Sequence, residues 1–212
     1  MYEVIVLGAT FAAAGIAHKY KEKCLVIERR AQAGYEFCGE HPFDTPIYPY
    51  LKECHTDFCV EIGAVEKTDG GFLCVTHGVD GFRSYTAKMV VDTRCNAEMA
   101  ISKTYNLLIE SEETPCFSNT ACEKTGTENR YVIRCAVPLS CGYAEARSIA
   151  QKVIQCFSES QRLILLADEF DYQVKEGYPK MQEGILYLPS KAYKNPSLAF
   201  EAGLAVGEVL DK

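Results

Sequence analysis

The sequence predicts an α/β protein built on a parallel sheet, and three observations support this fold class. An apolar run, Val4–Leu7, ends at Gly8 and leads into a stretch of small residues. A helical pattern connects this run to a second apolar run at 24–28. The chain closes with another strand pattern followed by a helix, at 184–210. Strands that alternate with helices are typical of a parallel sheet covered by helices.

Length, composition and charge restrict the class of protein further. At 212 residues and 48% hydrophobic, the chain can bury a sizeable core. Its net charge of -7 and its pI near 5.2 argue against nucleic acid or an anionic membrane surface as the main partner. No apolar run approaches bilayer-spanning length, and no basic segment precedes the first apolar run as in a secretory signal. We therefore expect a cytoplasmic protein without a membrane or nucleic-acid partner, and the sequence leaves a homo-oligomer open.

Apolar runs and helical periodicity define the N-terminal elements. They predict a strand at 3–8, a helix at 10–22 and a second strand at 24–28. Lysines near the end of this helix lie where positive charge stabilises a helix C-terminus. Residues 31–56 are predicted to be irregular, because their prolines interrupt any long helix.

Three apolar runs with turn signals then predict an antiparallel β-meander. The runs are 59–65, 72–76 and 84–86, and an Asp-Gly-Gly turn at 69–71 separates the first two. A further apolar strand is predicted at 88–92, as a return to the main sheet.

The middle of the chain predicts a small β-rich insertion. Strands at 105–109 and 130–137 flank a long polar connection. We therefore assign 96–140 to the insertion, and we assign 1–95 together with 141–212 to the main domain.

The last third of the chain predicts a return to helices and buried strands. An amphipathic helix is predicted at 143–157, followed at 163–167 by a buried strand or a short apolar segment. A strand at 184–188 then precedes the final helix, 196–210. Asn195 is a favourable N-cap for that helix, and a proline follows it at the first helical position.

The turn after the first strand matches the fingerprint of a dinucleotide-binding unit in part. Against the pattern G-x-G-x-x-G it offers Gly8, Thr10 and Ala13, of which alanine is an accepted third residue. Thr10 puts a Cβ where phosphate oxygens would pass, although its hydroxyl could donate a hydrogen bond to phosphate. Glu28 follows Gly8 by twenty positions, where a carboxylate would meet a ribose hydroxyl. The alternative is a plain βαβ crossover whose small residues serve only helix packing.

The eleven cysteines and four histidines form no recognisable metal or disulfide pattern. No C-x-x-C pair occurs and the cysteine count is odd, so we expect neither a zinc site nor a disulfide framework. Cys24, Cys74, Cys135 and Cys156 lie in apolar runs and are predicted to be small buried residues. No Ser/His/Asp arrangement suggests hydrolysis, and no catalytic residue is assigned.

Several segments match, in order, those of a known protein family. The segments are 2–8, 25–30, 60–75, 87–95 and 184–207. They resemble the opening βαβ unit, the meander, the A-K-x-V-I-D-A-T-G segment and the closing strand and helix of the FAD-dependent oxidoreductases of the glutathione-reductase-like superfamily. The resemblance covers about half of the chain.

This resemblance implies a Rossmann-like FAD/NAD(P)-binding fold with a β-meander and a small β-rich insertion. It implies FAD as the cofactor and oxidoreduction of a small-molecule substrate, with the flavin carrying the redox step. The pyrophosphate would lie over the first turn, the adenosine beside the end of the second strand, and the flavin near the final helix. The implied cofactor-binding residues are Gly8, Ala9, Thr10, Phe11, Ala12, Ala13, Glu28, Arg29, Val60 and Asp92.

Departures from the family pattern leave two other functions open. Thr10 replaces the second glycine, Cys95 replaces the glycine that ends the A-T-G segment, and 187–190 lacks the usual Gly-Asp or Ala-Gly. The chain could therefore be a non-catalytic relative with weak or lost nucleotide binding that acts as an accessory or interaction protein. A nicotinamide-dependent reductase is the third alternative.

Two features after the second strand each have two interpretations. Cys38 could be a redox-active thiol near the flavin or an ordinary loop cysteine. The segment Tyr48-Pro49-Tyr50 could line a pocket or cover an edge of the core.

Overall fold

The computed structural model describes residues 1–34, 36, 47–95, 99–175 and 179–210. The α-helices are α1 Phe11–Tyr20, α2 Tyr48–Leu51, α3 Tyr143–Ile154 and α4 Pro196–Leu210. The strands are β1 Tyr2–Leu7, β2 Cys24–Glu28, β3 His55–Phe58, β4 Glu61–Thr68, β5 Gly71–Gly78, β6 Gly81–Asp92, β7 Ala100–Ser111, β8 Thr120–Lys124, β9 Arg130–Val137, β10 Gln161–Val174, β11 Lys180–Gln182 and β12 Ile185–Tyr187. The described residues up to Arg94 and those from Pro179 onward form a first compact unit, and those from Cys95 to Lys175 form a second unit.

Parallel pairing in the first unit brings the carboxyl ends of three strands to one edge of the sheet. The order of the parallel strands is β3-β2-β1-β6-β12, and the short β11 pairs antiparallel with β12. Leu7, the last residue of β1, is paired with Ile27 of β2 on one side and with Asp92 of β6 on the other. Glu28 and Asp92 therefore lie on either side of the turn that follows β1, at the edge where ligands bind in open α/β sheets.

Side chains of β1 alternate between two buried faces of this sheet. Val4 and Val6 contact the core cluster that contains α1 and α4, while Ile5 and Leu7 contact a cluster beneath the meander. All four side chains are buried. This explains why β1 is a continuous apolar run in the sequence, as expected for a parallel strand covered on both faces.

Two glycines allow α1 and α4 to cross at close range. A Cβ at Gly15 would lie 2.1 Å from the backbone oxygen of Phe200, and a Cβ at Gly203 would lie 2.0 Å from that of Ala12. Because protein interiors are close-packed, neither position could carry a side chain without a shift of a helix backbone. The closeness of these helices thus depends on the two glycines.

The meander is formed by β4, β5 and the first half of β6. β5 pairs antiparallel with β4 and with the part of β6 from Gly81 to Ala87. β6 continues without a break to Asp92, and its second half pairs parallel with β1. The strands predicted at 84–86 and 88–92 are therefore one strand, which belongs to both the meander and the parallel sheet.

The second unit is a four-stranded antiparallel sheet in the order β10-β7-β9-β8. Alternate residues of β7 are buried, among them Tyr105, Leu107 and Ile109, and α3 contributes Ala146 to the same cluster. This unit extends beyond residue 140, where the sequence places the end of the insertion. The physical reason is that β10 pairs along β7 and that α3 packs on the same core.

Short elements are the ones that the sequence prediction misses. β3 and α2 lie within the segment 31–56, β8 lies in the polar connection before β9, and β11 precedes β12. No residue of β3 is fully buried, and its pairing with β2 makes it a strand. The rest of this segment at 37–46, which includes Cys38, lies outside the described residues.

The other elements differ from the prediction mainly at their ends. α4 spans the predicted residues, and the Leu198 amide donates to Asn195 Oδ1 at 2.9 Å, which confirms the predicted N-cap. α1 ends at Tyr20 and α3 ends at Ile154, each earlier than predicted. The segment 163–167 is part of β10, but the prediction that it is buried is wrong, because Leu165 is 57% exposed. None of the described helices has the length and apolar character needed to cross a bilayer.

Candidate functional site

The candidate site is the turn between β1 and α1. Gly8 has a φ of +94°, a conformation that glycine adopts far more easily than other residues. Its amide donates to the Ile27 carbonyl at 2.8 Å, which ties the turn to β2. A Cβ at Gly8 would lie 2.6 Å from Cγ of Arg94. Glycine is therefore required here by the backbone and by the arginine side chain that covers the turn.

Thr10 is the N-cap of α1. Its backbone is extended, and its Oγ1 accepts a hydrogen bond from the Ala13 amide at 3.1 Å. Its carbonyl accepts from the Ala14 amide at 3.0 Å and begins the helix. Threonine is a favoured residue in this position. Thr10 thus stabilises the helix start, and its hydroxyl proton is still free to be donated to a phosphate oxygen, as the sequence suggested.

Glu28 fastens the end of β2 to the turn. Its Oε2 accepts from the Ala9 amide at 2.8 Å, and its Oε1 accepts from the Arg30 amide at 2.9 Å. The side chain is buried. The backbone carbonyl of Glu28 accepts a hydrogen bond from the Val60 amide at 3.1 Å, and this bond places Val60 at the end of β2. Each carboxylate oxygen keeps a further lone pair, which could accept from a ribose hydroxyl.

Asp92, at the end of β6, holds Arg94 over the turn. Its Oδ1 accepts from the Arg94 amide at 3.0 Å and from Nε at 2.9 Å, and its Oδ2 accepts from Nη2 at 2.8 Å. The Thr93 hydroxyl lies within 3.0 Å of the Leu7 carbonyl and 3.1 Å of the Gly8 carbonyl. These bonds fix the end of β6 to the turn. The sequence did not single out Arg94, whose role follows only from this packing.

Glu36 binds the first amide of α1, although no pattern in the sequence identifies it as a site residue. Glu36 Oε1 accepts a hydrogen bond from the Phe11 amide at 2.8 Å. Burial raises the pKa of Glu36, although the backbone amides of Phe11 and Glu36, the Ser190 hydroxyl and the charge of Lys191 act in the opposite direction. A helix amide, a hydroxyl and a lysine are the groups that bind anions. The carboxylate of Glu36 therefore occupies an anion position.

Ser190 contributes a buried hydroxyl to this position. It follows β12, and its amide donates to the Thr93 carbonyl at 3.0 Å. The residue is 0% exposed. Its hydroxyl favours the charged form of Glu36, but within the described part of the chain it meets no group at hydrogen-bond geometry. Since buried hydroxyls are normally bonded, this one has unused capacity toward an anion.

The remaining predicted site residues lie at the same turn, with one exception. Ala9, Phe11, Ala12 and Ala13 are buried at the turn and in the first helical turn. Arg29 is exposed beyond the end of β2. The structure thus gathers most of the predicted residues around the start of α1; these are Gly8, Ala9, Thr10, Phe11, Ala12, Ala13, Glu28, Val60 and Asp92.

The tyrosines of α2 cover an edge of the core, which favours the second of their two interpretations. The Tyr48 hydroxyl accepts from the Ala33 amide at 3.2 Å. The Tyr50 ring lies 4.6 Å from the Phe200 ring, centroid to centroid. Both side chains therefore take part in packing of the first unit.

The cysteines follow the prediction with one correction. Cys24, Cys74 and Cys135 are buried as predicted, whereas Cys156 is exposed. Burial raises the pKa of Cys74 and of Cys135 to about 11, so both thiols stay protonated near neutral pH. Among the residues that the structure describes, no group of three or more His, Cys, Asp and Glu side chains is placed to hold a metal ion.

Solved structures of other proteins share this fold. CabE, an aromatic hydroxylase from angucycline biosynthesis, matches with a TM-score of 0.58 and 11% identity, over 99% of this chain and 62% of its own. A ternary complex of aklavinone-11 hydroxylase with FAD and aklavinone also matches with a TM-score of 0.58 and 11% identity, over 99% of this chain and 62% of its own. Glycine oxidase from Geobacillus kaustophilus matches with a TM-score of 0.60 and 10% identity, over 99% of this chain and 94% of its own. No protein-family model and no curated protein matches the sequence.

These similarities define the class of fold to which the chain belongs. It has a Rossmann-like FAD/NAD(P)-binding fold, as the sequence predicts. The chain spans less than two thirds of the two hydroxylases, 62% in each case. At 10% to 11% identity, the likeness establishes the fold and leaves the chemistry to be argued from the site.

Proposed function

We propose that this chain binds FAD and acts as a flavin-dependent oxidoreductase on a small molecule, as a short member of the glutathione-reductase-like superfamily. The observation that carries the proposal is the turn between β1 and α1, with the Glu28 carboxylate buried beside it. The fold supports it, because one of the similar structures is a ternary complex of a hydroxylase with FAD and aklavinone. The proposal retains a cytoplasmic location and leaves a homo-oligomer open.

The residues at the turn fit FAD, provided that one internal contact is exchanged. Gly8 and the start of α1 provide the approach that a pyrophosphate needs, and Glu28 has acceptor capacity for a ribose hydroxyl. The Phe11 amide, however, is bonded to Glu36 at 2.8 Å. A pyrophosphate oxygen can reach that amide only if the carboxylate moves away.

FAD, when bound, supplies the electron-transfer chemistry, and the chain supplies position and electrostatics. Glu28 would orient the ribose, and the Thr10 hydroxyl would donate to a phosphate oxygen while it keeps its bond from Ala13. Arg94, held by Asp92, adds a positive charge next to Gly8, where the pyrophosphate would lie. No residue is proposed to move a proton or to contact the substrate.

Titration of the purified chain with FAD tests the proposal. Flavin absorbance near ~450 nm that remains with the protein after gel filtration is the expected result, because the chemistry depends on the bound cofactor. At a hundredfold excess of FAD over the dissociation constant, the free energy of unfolding should rise by about 2.7 kcal/mol. A Glu28→Ala variant should lose this effect, and Glu53→Ala, at a glutamate of the same unit whose side chain is 40% exposed, serves as the matched control.

A colourless protein that FAD does not stabilise would contradict the proposal. The Glu36 contact specifically favours one alternative, a non-catalytic relative in which nucleotide binding is weak or lost. That alternative predicts no stabilisation by FAD or by NADH. Stabilisation by NADH without stabilisation by FAD would support the nicotinamide-dependent reductase instead.

A further inference from the structure

We propose that Glu36 is an internal competitor for the pyrophosphate of FAD: its carboxylate occupies the anion position at the start of α1 and must be displaced before FAD binds. The inference deepens the proposed function, on which it rests. It assigns to Glu36 a role in setting cofactor affinity, and it names the dinucleotide pyrophosphate as the group that takes its place.

Glu36 is bonded directly to the start of α1. The amides at the start of a helix have no partner within the helix, and they carry part of the positive end of its dipole. The Ala13 amide is satisfied by Thr10 Oγ1 at 3.1 Å, and the Phe11 amide is satisfied by Glu36 Oε1 at 2.8 Å. The chain therefore supplies an oxygen to each of these two amides from its own side chains.

The groups around the Glu36 carboxylate also favour an anion. The Lys191 charge and the Ser190 hydroxyl both favour the charged form of Glu36. The Ser190 hydroxyl is fully buried and meets no partner at hydrogen-bond geometry within the described residues. Amide, lysine and an underused hydroxyl form a site that would bind a phosphate better than it binds one carboxylate, because phosphate offers more acceptor oxygens.

Charge repulsion also opposes FAD while the Glu36 carboxylate is in place. A pyrophosphate placed at the start of α1 would lie beside the Glu36 carboxylate, and two negative groups in a partly buried place repel each other. Glu28 does not have this effect to the same extent, because its two oxygens are already bonded to the Ala9 and Arg30 amides. Glu36 is therefore the carboxylate whose removal should help FAD most.

The test measures dissociation constants of FAD for the wild type and for Glu36→Gln and Glu36→Ala, by calorimetric titration. Glu36→Gln keeps the size of the side chain and removes its charge, whereas Glu36→Ala also releases the Phe11 amide. Both variants should bind FAD about tenfold more tightly or better, since a charged hydrogen bond no longer competes. Inorganic pyrophosphate, titrated in parallel, should show the same order of affinities without any contribution from the flavin or adenine.

Glu53→Gln is the matched control. Glu53 is an exposed glutamate in the same unit. Its Oε2 lies 4.0 Å from Nζ of Lys21, the residue that follows the C-terminal end of α1. Its loss of charge equals that of Glu36→Gln, so it should leave the affinity for FAD unchanged. Circular dichroism of each variant confirms that it is folded.

Each outcome separates this inference from the proposed function. If the wild type binds FAD and neither Glu36 variant binds it more tightly, the inference is overturned and the proposed function stands. If only the variants bind FAD, Glu36 is the competitor and the wild type is a relative with lost binding. If no protein binds FAD but the variants gain affinity for pyrophosphate, the competitor role stands without the flavin function. If no variant binds either ligand, both proposals fail.

Discussion

Glu36 in the first unit and Lys103 in the second unit are both charged side chains that bind backbone groups, yet they are held differently. Lys103 is 4% exposed, and its Nζ donates to the Leu139 carbonyl at 2.8 Å and to the Cys141 carbonyl at 2.6 Å. The same ammonium lies 4.0 Å from the centroid of the Phe170 ring. Glu36 binds an amide at the open end of a helix.

The difference shows which of the two charges belongs to the fold and which can give way to a ligand. The carbonyls around Lys103 lie in the turn before α3, and the ammonium donates to both of them. The groups around Glu36 are those that bind phosphate in other proteins. A ligand anion can therefore take the place of Glu36, whereas nothing outside the chain is needed to complete the surroundings of Lys103.

The largest expected effect is the fall in the free energy of unfolding caused by Lys103→Met. Lys103→Met keeps the length of the side chain but leaves the carbonyls of Leu139 and Cys141 without their donor. The Cys141 carbonyl lies in a buried contact, and an unsatisfied buried group costs about 1–3 kcal/mol, partly offset because no charge is buried. We expect the free energy of unfolding to fall by about 1–3 kcal/mol, as measured by urea denaturation.

Lys88→Met is the control for this variant. Lys88 forms an exposed ion pair with Glu3 at 3.0 Å, and such pairs contribute about 0–1 kcal/mol. If Lys103→Met proves as stable as Lys88→Met, Lys103 is not part of the fold in the way described, and the contrast with Glu36 disappears.

A smaller effect is expected at Thr10, where the structure and the sequence motif give different reasons for the residue. Thr10→Ala removes the oxygen that accepts from the Ala13 amide and should cost about 1 kcal/mol of stability. Thr10→Ser keeps the oxygen and should be close to the wild type in thermal and urea unfolding.

The Thr10→Gly variant tests whether the Thr10 side chain obstructs FAD binding in addition to capping α1. Glycine is a fair N-cap, so the variant should lose only a few tenths of a kcal/mol. If Glu36 is the competitor, Thr10→Gly should not improve FAD binding as Glu36→Gln does. A gain in affinity at Thr10→Gly alone would move the obstacle from Glu36 to the second position of the fingerprint.

The parts of the fold that the sequence predicts well are those defined by local signals. β1 and β2 are buried on both faces and appear as apolar runs, and α4 carries an N-cap at Asn195. β3 and β8 have no such signal, because neighbouring strands rather than their own side chains make them strands. Their positions could not be obtained from local periodicity.

The candidate site divides in the same way. Gly8 and Glu28 have a spacing fixed by the geometry of a βαβ unit, so the sequence identifies both. Glu36 lies in a segment without periodicity and Arg94 follows the end of a predicted strand, and in both cases only the path of the chain brings the side chain to the turn. Thr10 also carries a local signal for its role, since threonine before a helical run is a favoured N-cap.

The smallest effect, and the one most specific to Glu36, is the pH dependence of stability without any ligand. Burial raises the pKa of Glu36 above the value of about 4.3 that glutamate has in an unfolded chain, so the folded state favours the protonated side chain. The resulting stabilisation is complete below the unfolded pKa and is lost as pH rises through the folded pKa. Glu36→Gln carries no charge at any pH, and it should therefore be more stable than the wild type at neutral pH, with the difference shrinking as the pH falls toward 4.

Urea denaturation of both proteins between pH 4 and pH 8, with Glu53→Gln as the exposed control, measures this difference. A difference that grows on acidification would mean that the helix amide and Lys191 stabilise the carboxylate more than burial opposes it, and Glu36 would then be a fixed part of its surroundings, as Lys103 is.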